Sequence, residues 1–485
     1  MEPMRILHVC AEMYPLLKTG GLADVTGALP KAQLKQKAEA RVLLPGFPAV
    51  KDKMGPTDLV AVIDTFAGRA ALSFGYFDGV GVYVIDAPHL FHREGSPYHD
   101  EYQNAYQDNY LRFGLLGWIG ADLTRGLDSM WRPDIIHAHD WHAGLACAYL
   151  AEMDSHERTK SVFTIHNLAY QGCFAPIHMA QLHLPWYLYN MNGLEYYGQI
   201  SFMKAGIFFA DHVTTVSPTY AREILGPENG FGMQGLLSLR ASQGRLTGIL
   251  NGIDDVVWDP KTDPLIPQNF DKRTLNARLA DKEALQKEFH LEVTNSKPLF
   301  GVVSRLVHQK GLDLVLEALP FIMEQGGQFV LLGSGEQWLE RGFEDFAHNN
   351  PAYRGNVAVR LGYDDALSHR ITAGSDVLMV PSRFEPCGLT QMAALRYGSL
   401  PLVHNTGGLA DTVVNSTVEN VDNKTATGFI FYDCNRDALQ GAVSRAMELW
   451  KSRKTWRTIQ QRAMTRNFGW KESARQYLDI YRKLL

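Results

Sequence analysis

Cysteine is scarce. There are five in 485 residues, Cys10, Cys147, Cys173, Cys387 and Cys434, and none forms a C-x-x-C pair. Such scatter argues against a disulfide framework or a thiolate zinc site and fits a reducing compartment. Long apolar runs are missing as well: no stretch reaches the roughly 18 residues that suggest a membrane span. Near the N-terminus Glu12 and Lys18 interrupt the apolar residues, so this segment does not read as a signal peptide. The expected address is the cytoplasm, with no membrane partner. Neither sign of charge is in large excess, the net charge being −5. A chain so balanced has no general attraction for nucleic acid, and an anionic ligand must be held by local positive charge. Low-complexity tracts and short-period repeats are also lacking.

What is present is a globular composition, 46% hydrophobic and 20% charged. Single cores stop growing at roughly 250–300 residues, so this length predicts two domains. Short apolar strands alternate with amphipathic stretches, the pattern of a parallel sheet covered on both faces. In the first half the strands are expected at Arg5–Cys10, Arg41–Pro45, Val82–Asp86, Asp134–Ala138, Ser161–Ile165 and His212–Ser217. In the second half they are expected at Pro298–Ser304, Gln328–Gly333, Val357–Leu361, Asp376–Pro381 and Leu400–His404. Between them, Leu312–Gln325 and Asp365–Ala373 read as helices. The polar, proline-bearing stretch Asp254–Lys297 reads as the crossing between domains plus a short helix. The fold class is α/β: doubly wound domains at 1–250 and 251–465, with a cleft between them. A last helix within 466–485 is expected to pack back on the first domain. Ligands of such sheets sit beyond the carboxyl ends of the strands, which directs attention to the residues just after each strand.

Four segments stand there. After the first strand comes Lys18-Thr19-Gly20-Gly21-Leu22-Ala23-Asp24-Val25. Its glycines permit close backbone approach, and the helix behind offers free N–H groups to an anion. A plain structural turn is the other reading. In the second half, Ser304-Arg305-Leu306-Val307-His308-Gln309-Lys310-Gly311 puts two cations at the equivalent strand-to-helix turn. Arg305 offers a planar fork and Lys310 a point charge, so a diphosphate would be clamped from both sides. The third segment is Pro381 through Thr390. There Gly388, Leu389 and Thr390 are expected to form the first turn of a helix aimed at an anion. Glu385 beside it would be repelled by that anion unless it accepts from sugar hydroxyls, or else serves as a helix cap. The fourth is His137-Ala138-His139-Asp140-Trp141-His142, followed by Ile165-His166-Asn167. Either His137 and His139 share a strand face as metal ligands, or Asp140, His142 and His166 face the cleft and Trp141 supports a sugar ring. No D-x-D pair occurs anywhere in the chain. Metal-dependent nucleotide-sugar enzymes commonly carry one, so a leaving diphosphate would be stabilised here by Lys18, Arg305, Lys310 and a helix terminus.

The strings K-T-G-G-L-A-D-V, H-A-H-D-W-H-A, F-T-I-H-N-L-A-Y-Q-G, V-S-P-T-Y-A-R-E, L-N-G-I-D, S-R-L-V-H-Q-K-G-L-D, S-R-F-E-P-C-G-L-T-Q and N-T-G-G-L-A-D-T follow one another through the whole chain. Together they resemble the bacterial glycogen synthases of glycosyltransferase family 5. The resemblance implies two Rossmann-like domains facing across a deep cleft, the GT-B arrangement. It implies ADP-glucose as donor, glycogen or a malto-oligosaccharide as acceptor, and retention at the anomeric carbon; the missing D-x-D adds the expectation that no metal or other cofactor is needed. By position it puts Lys18, Gly21 and Asp24 near the donor phosphates and glucose. Arg305, Lys310, Thr390 and the Gly388–Leu389 backbone would hold the diphosphate, and Tyr363 would pack on adenine. Glu385, Cys387, His166 and Asn251 would surround the glucosyl unit, with Asp140 and Tyr98 on the acceptor side. Glu385, Arg305, Lys310, His166 and Asp140 are the expected catalytic set. Many retaining enzymes of this fold carry Glu-x7-Glu; here the second position is Ala393, as this family leads one to expect.

The competing readings are a UDP-sugar donor, a phosphorylase and a non-catalytic sensor on the same fold. A phosphorylase needs a pyridoxal-phosphate lysine, for which the sequence offers no support.

Overall fold

The computed structural model describes residues 3–485. The chain divides into two compact units, 1–252 together with 470–485, and 253–469.

The first unit is built on a nine-stranded sheet. Its strands are β1 (Arg5–Val9), β2 (Glu39–Pro45), β3 (Asp58–Thr65), β4 (Gly68–Phe77), β5 (Val80–Asp86), β6 (Ile135–His139) and β7 (Lys160–Ile165). After a small separate sheet of β8 (Cys173–Phe174), β9 (Glu195–Tyr196) and β10 (Gln199–Ser201), the chain adds β11 (His212–Thr215) and β12 (Leu246–Gly248). The order is β12-β11-β7-β6-β1-β2-β5-β4-β3. All pairings are parallel except β3–β4 and β4–β5, an antiparallel edge that the strand pattern did not reveal. β1, β6 and β7 are almost wholly buried runs, as strands covered on both faces must be.

The C-terminal helix Trp470–Leu484 belongs to this unit. Its buried residues Trp470, Ala474, Tyr477, Leu478 and Tyr481 recur at helical spacing. They share a core with Val25 and Leu29 of helix Gly21–Leu34 and with Ile6 and Ile135 of the sheet.

The second unit holds six parallel strands: β13 (Leu299–Val303), β14 (Gln328–Gly333), β15 (Val357–Leu361), β16 (Val377–Val380), β17 (Leu400–His404) and β18 (Phe429–Phe431). Their order is β15-β14-β13-β16-β17-β18. The stretch Asp254–Lys297, expected as the crossing between domains plus a short helix, lies in this unit and contains such a helix. Ile266, Phe270 and Leu275 pack against Ala373 and Tyr397, and a helix spans Arg278–Glu288.

Each sheet has one point where the strand order reverses, β1/β6 in the first unit and β13/β16 in the second. At such a point the loops leave in opposite directions and open a crevice at the carboxyl ends of the strands. Lys18–Asp24 follows β1, Asp140 follows β6, Arg305–Lys310 follows β13 and Glu385–Thr390 follows β16. The chemistry-bearing segments therefore stand where each fold makes room for a ligand.

Candidate active site

In the first unit a residue that sequence reasoning passed over organises the turn after β1. Glu12 is buried, and its carboxylate accepts from Thr19 N at 2.6 Å, Thr19 Oγ1 at 2.5 Å and Gly20 N at 3.3 Å. Tyr98 also donates its hydroxyl to Glu12. Tyr98 lies against His142, ring centroids 4.6 Å apart, and burial and the Glu12 charge hold its phenol well above the usual range. Tyr98 thus presents a ring face, its proton being committed to Glu12. Helix Gly21–Leu34 starts at Gly21 with Gly20 as its N-cap, and a Cβ on either would meet open space. Packing does not require these glycines, and they leave the backbone open to solvent. Lys18 is exposed and paired with Asp24 at 2.9 Å.

Asp140 opens the helix after β6 with a left-handed backbone, φ 57°. Its Oδ1 accepts from the backbone N–H of His166 at 2.7 Å and of Asn167 at 3.4 Å, joining the ends of β6 and β7. Burial raises its carboxyl pKa to about 7 against these hydrogen bonds. His166 is buried, and burial lowers its pKa to about 3, so it is a neutral ring at any working pH. Asn251, after β12, is buried with an Oδ1 that has no partner among the described residues. An orphaned acceptor costs about 1–3 kcal/mol, which a ligand hydroxyl would offset. Trp141 is half-buried and packs edge-on against Phe113, with centroids 5.0 Å apart, so the structure fixes it as a wall of the aromatic cluster.

The histidines of the strand ends are tied into hydrogen bonds. His8, His137 and His139 do bring ring nitrogens within 4.8 Å of one another, a spacing that suits an ion. All six nitrogens already have partners, however. His8 bonds His139 and Gln33, His139 also bonds His166, and His137 bonds Thr164 and Tyr481.

In the second unit Lys310 and Glu385 meet: Lys310 Nζ lies 2.5 Å from Glu385 Oε2, which also accepts from Ser382 Oγ at 2.8 Å. Both side chains are largely buried. Arg305 is exposed at the same strand end. Arg383 grips Asp313 with both Nη atoms, at 2.7 and 2.6 Å, and so ties the Glu385 loop to helix Leu312–Glu324. Gly388 and Leu389 differ from expectation. The helix begins only at Thr390, Leu389 is its N-cap, and Gly388 is left-handed at φ 74°. Gln391 explains the turn: its Nε2 donates back to the carbonyls of Cys387 and Gly388, at 3.0 and 2.8 Å. Only Thr390 therefore lies in the helix's first turn, and the N–H groups of Gly388 and Leu389 come from the loop ahead of it. Cys387 is buried. Tyr363 is 84% exposed and hydrogen-bonds Asp365 at 3.2 Å.

Thr406-Gly407-Gly408, after β17, presses on this loop, and Gly408 N donates to the Glu385 carbonyl at 3.1 Å. Gly407 has φ 44°, and a Cβ there would fall 1.9 Å from that carbonyl oxygen. Gly407→Ala is expected to cost about 2–4 kcal/mol from left-handed strain and overpacking. It should also displace Glu385 and abolish turnover. Urea unfolding of the purified variant measures the first effect, and unchanged stability would refute this packing account.

The comparisons follow this division. Residues 5–239 match the family model of the starch synthase catalytic domain, and residues 284–462 that of glycosyl transferases group 1. The glycogen synthases of Yersinia enterocolitica and Serratia proteamaculans are each 57% identical over 481 residues, covering 99% of this chain and 100% of theirs. Among solved structures, the catalytic domain of starch synthase IV from Arabidopsis thaliana bound to ADP and acarbose aligns with a TM-score of 0.89. Its identity is 33%, over 99% of both chains. The sucrose-phosphate synthase of Thermosynechococcus elongatus, at 18% identity and a TM-score of 0.58, shares the fold. Two doubly wound units with their functional loops at the switch points define a GT-B glycosyltransferase. More particularly, the chain belongs to the glycogen synthase family, the glucosyltransferases that elongate glycogen.

Proposed function

We propose that this enzyme transfers glucose from ADP-glucose to the non-reducing end of an α-1,4-glucan, with retention and without a metal ion. The carrying observation is the Lys310–Glu385–Ser382 cluster at the β13/β16 switch point. It sets a cation for the diphosphate beside a carboxylate whose Oε1 is left to accept from a sugar hydroxyl.

Arg305, Lys310, Thr390 and the backbone N–H groups of Gly388 and Leu389 hold the diphosphate, and exposed Tyr363 stacks on adenine. Glu385, Cys387, Asn251 and His166 surround the glucosyl unit. Lys18, Gly21 and Asp24 approach the donor phosphates and glucose, while Asp140 and Tyr98 take the acceptor. The glucosyl–ADP bond breaks first, through an oxocarbenium-like transition state, and the cations stabilise the departing phosphate. The acceptor hydroxyl attacks the anomeric carbon from the same face and yields its proton to a leaving-phosphate oxygen. Glu385 binds and stabilises the sugar; pinned by Lys310 and Ser382, it is not the nucleophile of a double displacement. The reaction belongs in the cytoplasm, where the five cysteines stay reduced.

Release of ADP tests the reading. It should require glycogen and should occur from ADP-glucose in strong preference to UDP-glucose. Equal use of UDP-glucose would move the donor assignment, and ADP-glucose binding without glycogen-dependent ADP release would make the chain a sensor. Turnover should persist in EDTA; loss in EDTA with recovery on adding zinc would overturn the metal-free mechanism.

A further inference from the structure

A chain of buried histidines runs from the site of the first unit into its core, and the mechanism above uses only its outermost member. His166 Nε2 lies 2.9 Å from His139 Nδ1, and His139 Nε2 lies 3.0 Å from His8 Nδ1. His8 Nε2 ends the series 2.7 Å from Gln33 Oε1. Gln33 then donates from Nε2 to the Tyr481 hydroxyl at 3.2 Å, and that hydroxyl lies 2.6 Å from His137 Nδ1. The sheet brings these groups together: β1 and β6 pair in parallel with His8 opposite His137, and helix Trp470–Leu484 lays Tyr481 against them.

Counting protons decides the tautomers. Burial holds all the rings neutral, lowering His8 to about 4 and His139 well below the ordinary range. A neutral ring has one N–H and one lone pair. Gln33 Oε1 only accepts, so His8 must carry its proton on Nε2, which leaves Nδ1 as an acceptor. His139 must then be protonated on Nε2 and accept at Nδ1, and His166 must be protonated on Nε2. Three links use three N–H groups, all pointing toward Gln33. The one lone pair left over is on His166 Nδ1, which has no partner among the described residues.

We propose that Gln33, acting through His8 and His139, is a positioning element that locks His166 in the Nε2–H tautomer, making its Nδ1 a fixed acceptor for a hydroxyl of the bound sugar. The direction of the chain is set by the Gln33 amide, which Tyr481 holds by receiving its N–H. Were the amide reversed, every link would reverse and His166 would present a donor. Apolar side chains would fill this space without burying six ring nitrogens, each of which costs about 1–3 kcal/mol unless bonded. The inference rests on the assignment of His166 to the glucosyl unit.

The test uses the full-length protein labelled with 15N-histidine, with the His166 signals assigned by their loss in His166→Gln. In the unmodified protein His166 should show a protonated Nε2 and a bare Nδ1. Tyr481→Phe, which removes only the hydroxyl that orients the amide, should give a mixture of tautomers. Its kcat/KM for ADP-glucose should fall about threefold to tenfold, the worth of one neutral hydrogen bond. Gln33→Met should give the same mixture with a loss of at least about tenfold. A protonated Nδ1 in the unmodified protein overturns the proposal. So does an unchanged His166 tautomer in Tyr481→Phe, which decides even if Gln33→Met does not fold. The spectrum needs no substrate. The expected tautomer in a protein that releases no ADP from ADP-glucose would therefore count against the proposed function and leave the histidine chain standing.

Discussion

Lys310→Ala should lower kcat by about 10²–10³-fold, and Arg305→Ala by a similar factor, the usual cost of removing one group aimed at charge that develops in the transition state. The two variants should part company in stability. Arg305 is exposed at the end of β13, and surface charges contribute little to folding, about 0–1 kcal/mol. Lys310 is different, because its ammonium is the ion-pair partner of Glu385, whose side chain is only 10% exposed. Truncation leaves that carboxylate with the Ser382 hydroxyl as its remaining donor. A buried charge so deprived costs about 1–3 kcal/mol, or a few degrees of Tm. The same pair shows why Lys310 can serve two ends. It is the ion-pair partner of Glu385, and in the proposed mechanism it would lie beside the negative charge that develops when the glucosyl–phosphate bond breaks. Kinetics and thermal unfolding of both purified variants check this. Unmodified turnover in either sinks the diphosphate clamp, and an unchanged Tm in Lys310→Ala would show that the ion pair does not hold Glu385.

The switch-point rule made much of this site legible. β1, β6, β13 and β16 read as short apolar runs, and the cations and carboxylates follow within a few residues of each, so spacing alone located Lys18, Asp140, Arg305, Lys310 and Glu385. What stayed hidden depends on contacts that no local spacing encodes. Glu12 is a single acid in an apolar stretch, and its role appears only when Tyr98, far along the chain, folds over it. Gln33 sits in the last turn of helix Gly21–Leu34 as one more polar residue until β1/β6 register and the C-terminal helix bring His8 and Tyr481 to it. Gly407 and Gly408 were visible as a motif, but their purpose is close approach to the carbonyls of Glu385 and Cys387. The β3–β4 edge is unlike the buried runs of the parallel core: β3 carries the apolar run Leu59-Val60-Ala61-Val62-Ile63 yet stays exposed or half-buried, and nothing local in its sequence marks it as an antiparallel edge. In Asp254–Lys297 the short helix was legible, but the packing of Ile266, Phe270 and Leu275 was not, because these residues are too sparse to set up a period although each is buried.

Asp140→Asn should remove most activity while leaving the protein as stable as before, and more stable at high pH. The substitution is nearly isosteric. The Asn oxygen can still accept from His166 N and Asn167 N, and Asn tolerates the left-handed backbone at φ 57° as well as Asp does. Only the charge is lost. Burial raises the Asp140 pKa from an ordinary 3.8 to about 7, so the folded protein keeps a proton that the unfolded chain has released. Between those values stability falls as pH rises, and above pH 7 the full cost of the buried charge is present, on the order of 4 kcal/mol. The Tm difference between Asp140→Asn and the unmodified enzyme should therefore be small near pH 4 and grow in the variant's favour toward pH 8. Activity should move the opposite way. If the ionised carboxylate stabilises the oxocarbenium-like centre and orients the acceptor, kcat/KM of the unmodified enzyme should rise with pH to a plateau with a midpoint near 7. The variant should be flat across that range and about 10²–10³-fold lower at pH 8. A pH-independent unmodified enzyme, or an active Asn variant, would remove Asp140 from the chemistry and leave it as the link between β6 and β7. The predicted crossing of the two curves, activity rising where stability falls, is what a charge kept for function rather than folding would produce.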